Sequence, residues 1–174
     1  MTESEAFLAQ ARYDFASFSL LDGAFLRGCA PESQALHFLQ MATEKLGKAA
    51  YLARKKEMKG RRYHDDRYFQ VVWNAMQTSP LEAELGLTKQ GLTEMLTRCD
   101  SVRARISELQ PQVAGSAHRN VEYPWENSPD DWSAPGDTSF GLLAVGGATS
   151  SDVFEFAVLV AALLKHFASI FPPA

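Results

Sequence analysis

The residue types that do chemistry gather in a few short stretches. His64-Asp65-Asp66 sets an imidazole beside two carboxylates, a combination that binds a metal ion or relays a proton. A metal site needs further ligands, and His37, His118 and His166 fall at no ligand spacing from it, so no metal is expected. The structural alternative has Asp65 or Asp66 capping a helix while His64 packs at the turn, and it is the favoured one. The densest polar and aromatic stretch is His118-Arg119-Asn120-Val121-Glu122-Tyr123-Pro124-Trp125-Glu126. Arg119 has the planar fork that grips a phosphate or a carboxylate, and it could equally close a salt bridge to Glu122. Gly146-Gly147 precedes a helix start, where backbone N–H groups can hold a phosphate. Without the lysine of a phosphate-binding loop it reads as a turn. No GxSxG is present, and neither Cys29 nor Cys99 has a histidine near it in sequence, which leaves nucleophilic catalysis without support. No residue set asks for a cofactor.

Charge adds one more candidate. From Arg54 to Arg67 seven basic residues stand against Glu57, Asp65 and Asp66, while residues 111–174 hold two basic and seven acidic ones. A solvated helix end beside an acidic loop explains this. The sharper reading is a phosphate-binding patch at Arg61 and Arg62, joined by His64 and Arg119, or two complementary faces of a dimer. The chain as a whole carries a net charge of −4, which argues against a general nucleic-acid or membrane coat.

These residues must be positioned by helices. At 174 residues and 46% hydrophobic, the chain can bury a core without a metal or disulfide staple, and a single domain over 1–174 is expected. The two cysteines form no framework, the start MTESEAFLAQ is wrong for a signal peptide, and the chain reads as cytoplasmic. Leu8, Ala11, Phe15, Phe18, Leu21 and Phe25 recur at steps of three and four, up to a break at Gly28. Pro31 opens a second helix with Ala35, Leu39, Ala42, Leu46, Ala49 and Ala53 inward, ending at Gly60. A third runs over 65–77, Pro80 ends it, and 81–86 is left as a turn. Thr88 caps a fourth, with Leu92, Met95, Cys99, Val102, Ile106 and Leu109 inward. Residues 111–150 form a long loop holding four of the eight prolines and five of the eleven glycines, with Trp125, Trp132 and Phe140 to pack it back. Ser151 or Asp152 caps a last helix over 151–171, whose twelve-residue apolar stretch is too short to span a bilayer. The expected architecture is all-α, an antiparallel up-down bundle of about five helices with a Pro/Gly-rich loop before the last.

The run Gln34-Ala35-Leu36-His37-Phe38-Leu39-Gln40-Met41-Ala42-Thr43-Glu44-Lys45-Leu46-Gly47-Lys48-Ala49 resembles the second helix of HEPN (higher eukaryotes and prokaryotes nucleotide-binding) domains. In that family an Ala-rich helix carries a Gln, then Ala-x-Glu-Lys and a following Lys. Ala11-Arg12-Tyr13-Asp14 in the first helix, His64 opening a short third helix and Arg119-Asn120 after a long fourth fit the same pattern, roughly over residues 8–125. The resemblance implies a helical bundle that commonly dimerises. It also implies one of two functions. Some members are metal-independent RNases, using an arginine and, after four to six residues, a histidine; others are non-catalytic, binding nucleotides or accompanying a nucleotidyltransferase partner.

This chain departs from the nuclease pattern. The positions where the histidine should follow Arg119 hold Pro124, Trp125 and Glu126, and no other arginine precedes a histidine at that spacing. Losing the general acid–base costs on the order of a hundredfold or more in rate. The leading expectation is therefore a non-catalytic HEPN-like binding protein, dimeric, with a nucleotide, RNA or a nucleotidyltransferase-type protein as partner and no membrane. The alternative is an RNase with a rearranged site in which Arg119, Asn120 and His118 or His64 share the work. A metal-carrying bundle around His64 and Asp66, or a purely structural domain, are the remaining readings.

Overall fold

A computed structural model describes residues 1–55, 71–74, 79–109, 125–128, 131–135, 140–145, 148–149 and 151–172. Its helices are α1 (Glu3–Leu26), α2 (Glu32–Lys55), α3 (Ser79–Leu85), α4 (Lys89–Glu108) and α5 (Ser151–Ile170), with residues 71–74 also helical. Two short antiparallel ribbons interrupt the segment before α5: β1 (Trp125–Ser128) with β2 (Asp131–Ser133), and β3 (Ala144–Val145) with β4 (Ala148–Thr149). The protein is an all-α helical bundle, as the periodicity predicts.

Helix ends follow local chemistry. Thr2 and Glu5 form a reciprocal capping box at the start of α1. Gly28 takes φ 71° just beyond its end, and its N–H reaches the Phe25 carbonyl while that of Cys29 reaches Ala24. Thr88 caps α4 as its sequence predicts, accepting from the Gly91 N–H at 3.1 Å. Pro31 lies one residue before α2 rather than inside it. The 81–86 turn is corrected: Ser79–Leu85 is a short helix, and Pro80 sits in its first turn, where a missing N–H has no intrahelical partner to lose. Of the third helix expected over 65–77, only 71–74 lies within the described residues.

Contacts between helices fix their directions. Ser4 Oγ donates to the Ala49 carbonyl at 2.8 Å and Lys48 lies over Phe7, so α1 and α2 form an antiparallel hairpin. Arg98 on α4 pairs with Glu155 near the start of α5, at 3.0 Å. Arg12 on α1 donates to the Leu164 carbonyl, and Arg54 near the end of α2 stacks on Phe171 just past α5. The order is thus up, down, up, down through α1, α2, α4 and α5.

Leu36, Leu39 and Leu46 of α2, Leu92 and Ile106 of α4, and Phe156, Leu159 and Leu163 of α5 are fully buried and meet in one core, with Leu81 of α3 and Leu143 added. Each contributes roughly 1.5–3 kcal/mol by leaving water. The α4 positions expected to face inward, from Leu92 to Leu109, are all buried. Helix α5 differs from its expectation in one respect. The charge-free run is short, but the helix over Asp152–Ile170, with mean hydropathy 1.8, is long and apolar enough to cross a membrane by length and composition. Its inward residues fill the core, while Glu155 and Lys165 lie at its surface in ion pairs.

Candidate functional site

Helix α2 buries more than its apolar stripe. Its positions 37, 40, 44, 48 and 51 follow steps of three and four, so His37, Gln40, Glu44, Lys48 and Tyr51 share one side of the helix. Gln40, Glu44 and Lys48 are 1%, 5% and 2% exposed, values ordinary for leucine and unusual for these residue types. The Lys48 ammonium donates to Glu44 Oε1, and Lys45 reaches the same oxygen at 3.4 Å. Gln40 Nε2 donates to Glu44 Oε2 at 3.3 Å, and Thr43 Oγ1 to the Gln40 carbonyl at 2.8 Å. Lys48 also sits 5.6 Å from the centre of the Phe7 ring, a cation–π geometry supplied by α1.

Helix α1 brings a carboxylate to the same level. Asp14 is 5% exposed, and the register set by Ser4 against Ala49 and Phe7 against Lys48 places it beside the Gln40 turn of α2. Gln10 Nε2 donates to Asp14 Oδ1 at 2.8 Å. Asp14 Oδ2 and Gln40 Oε1 are buried acceptors with no hydrogen-bond partner among the described residues. An acceptor in that state costs about 1–3 kcal/mol. The row supplies an ammonium, carboxylates and amides in fixed positions. Among the described residues no group of three or more His, Cys, Asp or Glu could hold a metal ion.

A second buried carboxylate has a different task. Glu32 opens α2, is 3% exposed, and accepts four consecutive backbone N–H groups: Phe140 at 2.6 Å, Gly141 at 3.1 Å, Leu142 at 2.7 Å and Leu143 at 2.8 Å. Gly141 takes φ 63°, and this left-handed step makes successive N–H groups converge on one anion. Burial pushes the carboxyl pKa up, and the four donors outweigh it, so the net shift is downward from 4.5. Glu32 thus ties the segment before α5 to the base of α2, and Leu142 and Leu143 enter the core beside it. Phe140 packs against the core as expected.

Elsewhere the charged groups brace helices. Glu84 of α3 accepts from Lys165 at 2.7 Å and from His166 Nε2 at 2.8 Å, and both partners hold its pKa below the usual carboxylate value. A cleft of about 420 Å³ lies between residues 73–74 and α4, lined by Trp73, Asn74, Thr93, Leu96, Thr97 and Asp100. Arg103 lies 5.5 Å from the centre of the Trp73 ring and donates to Asp100 at 2.9 Å. Cys99 is fully buried, and desolvation pushes its thiol up to about 12, which leaves it no thiolate for catalysis. Cys29 is exposed beyond α1.

The residues singled out by type and spacing, Arg61, Arg62 and His64 on one side and His118, Arg119 and Asn120 on the other, lie outside the described residues, as do Asp65, Asp66 and Gly146-Gly147. Of the remaining histidines, His37 sits on the α2 row and His166 on the Glu84 cluster. The buried row itself escapes a reading by hydrophobic periodicity, because charged residues are assigned to solvent. Its signal is the Gln40-x₃-Glu44-x₃-Lys48 spacing within an Ala-rich helix, which gives α2 a second, polar buried face. No protein family, no curated protein and no solved structure matches the chain, so the site is read from its own geometry.

Proposed function

We propose that the chain is a non-catalytic, HEPN-like binding protein, cytoplasmic and acting as a dimer, whose ligand is a nucleotide, an RNA or a nucleotidyltransferase-type protein. One observation carries this reading. The residues that bear the resemblance, Gln40, Glu44 and Lys48, are nearly fully buried and bonded to one another at the middle of the bundle. α2 buries them alongside Glu32, Ser33 and Thr43, and a buried ion pair can often be replaced by apolar residues of similar volume without loss of stability, so stability alone does not call for the Glu44–Lys48 pair. The missing histidine after Arg119 supports binding over cleavage. The same Arg119-Asn120 pair, with His118 beside it, keeps the rearranged RNase as the second reading.

The test is a titration of labelled single-stranded RNA and of nucleotides, with wild type, Arg119→Ala and a combined Arg61→Ala, Arg62→Ala variant. Binding that weakens in these variants and falls as salt rises supports a phosphate-gripping role. A strictly monomeric protein that takes up neither nucleotide, RNA nor protein contradicts the proposal.

A further inference from the structure

Helix α1 leaves an uncharged face with large apolar side chains in water. Ala11, Asp14 and Phe18 of its 24 residues are buried, and Phe7, Leu8, Phe15, Leu21 and Phe25 pack partly buried against the core. The opposite side, running through Ala9, Tyr13, Ala16, Ser17, Leu20 and Ala24 at steps of three and four, carries no charge. Tyr13 and Leu20 on it are 71% and 76% exposed. An uncharged face that leaves large apolar side chains in water marks an interaction site. The geometry points to an antiparallel α1–α1 contact with a second copy of this chain, which rests on the dimeric reading above and gives it a location.

The face is complementary to itself. A twofold axis passing between Ala16 and Ser17 sets Tyr13 of one copy against Leu20 of the other, twice, with the small residues at the axis letting the helices close. The ends match in charge. α1 begins with Glu3 and Glu5 and closes with Arg27, and antiparallel pairing lays Arg27 of each copy by the acidic first turn of the other. Among the described residues neither Glu3 nor Arg27 has an ion-pair partner within the chain. No like charges oppose one another across the axis. A parallel pairing would instead set Arg27 against Arg27 and Glu3 against Glu3.

The size of the face sets the strength. A 24-residue helix is about 36 Å long, and a strip roughly 10–12 Å wide covers on the order of 400 Å² per copy. That is about half of a standard stable interface, so the dimer is weak and reversible.

Sedimentation velocity of the full chain over about 5–500 µM tests this. Wild type is expected to shift from monomer to dimer, and Leu20→Glu to remain monomeric with unchanged circular dichroism, since Leu20 lies outside the core. In a Cys29→Ser background, Ser17→Cys is expected to give a disulfide-linked dimer on mild oxidation. Ser19→Cys, turned away from the face, is expected to give none. A dimer that persists in Leu20→Glu and is not trapped by Ser17→Cys overturns this face while leaving the dimeric reading intact. A wild-type monomer at every concentration overturns both.

Discussion

Replacing Glu32 should loosen the bundle well beyond the site of the change. The carboxylate takes four backbone N–H groups at 2.6–3.1 Å, and two of these belong to the buried residues Leu142 and Leu143. Glutamine keeps one carbonyl oxygen, which can hold about two of the donors, and turns an NH₂ toward the others. Hydrogen bonds to a charged group contribute about 1.5–3 kcal/mol each and do not add fully, so Glu32→Gln should cost about 2–4 kcal/mol and Glu32→Ala about 3–5. Urea unfolding at pH 7 measures this as a drop in midpoint at unchanged slope. The pH dependence has a definite sign. The folded pKa lies below 4.5, so the stabilisation is complete above that value and is lost as pH falls through the lowered one. The gap between wild type and Glu32→Gln should be flat from pH 7 to about 5 and should narrow on further acidification. A loss under about 0.5 kcal/mol, or a gap that widens in acid, would refute the anchoring role.

Other outcomes follow from the same packing. Lys48→Met takes the buried ammonium from Glu44 and leaves it Lys45 at 3.4 Å and the Gln40 amide, and should cost about 1.5–3 kcal/mol, whereas Glu44→Met with Lys48→Met should be near neutral; thermal melts of the three proteins decide it. If the row serves binding, the double variant stays folded and loses its ligand. A thiol reagent at pH 8 should titrate Cys29 alone in the native protein and both cysteines in denaturant, because Cys99 is buried with its pKa near 12. Thr88→Ala should cost about 1 kcal/mol through the lost α4 cap, read as a lower denaturation midpoint.

Much of the bundle is legible in the sequence. The steps of three and four in α1, α2 and α4, the Gly28 break and the Thr88 cap are local signals, and each survives in the structure because packing agrees with it. The α3 turn was obscured by Pro80, which a first helical turn tolerates as readily as a helix end does. The Glu32 clamp could not be read at all: its partners stand more than one hundred positions away, and they are backbone groups that no side-chain pattern marks. The buried row was half legible. Its residues stand out as a family-like motif, but only the antiparallel register of α1 shows Asp14 joining them and shows Lys48 excluded from water.

Incubating purified protein with single-stranded RNA in the absence of metal, for wild type, Arg119→Ala and His118→Ala, separates binding from cleavage. Intact RNA with all three proteins is expected of a binding protein. Cleavage by wild type that disappears in both variants would contradict that reading and establish a nuclease with a displaced histidine.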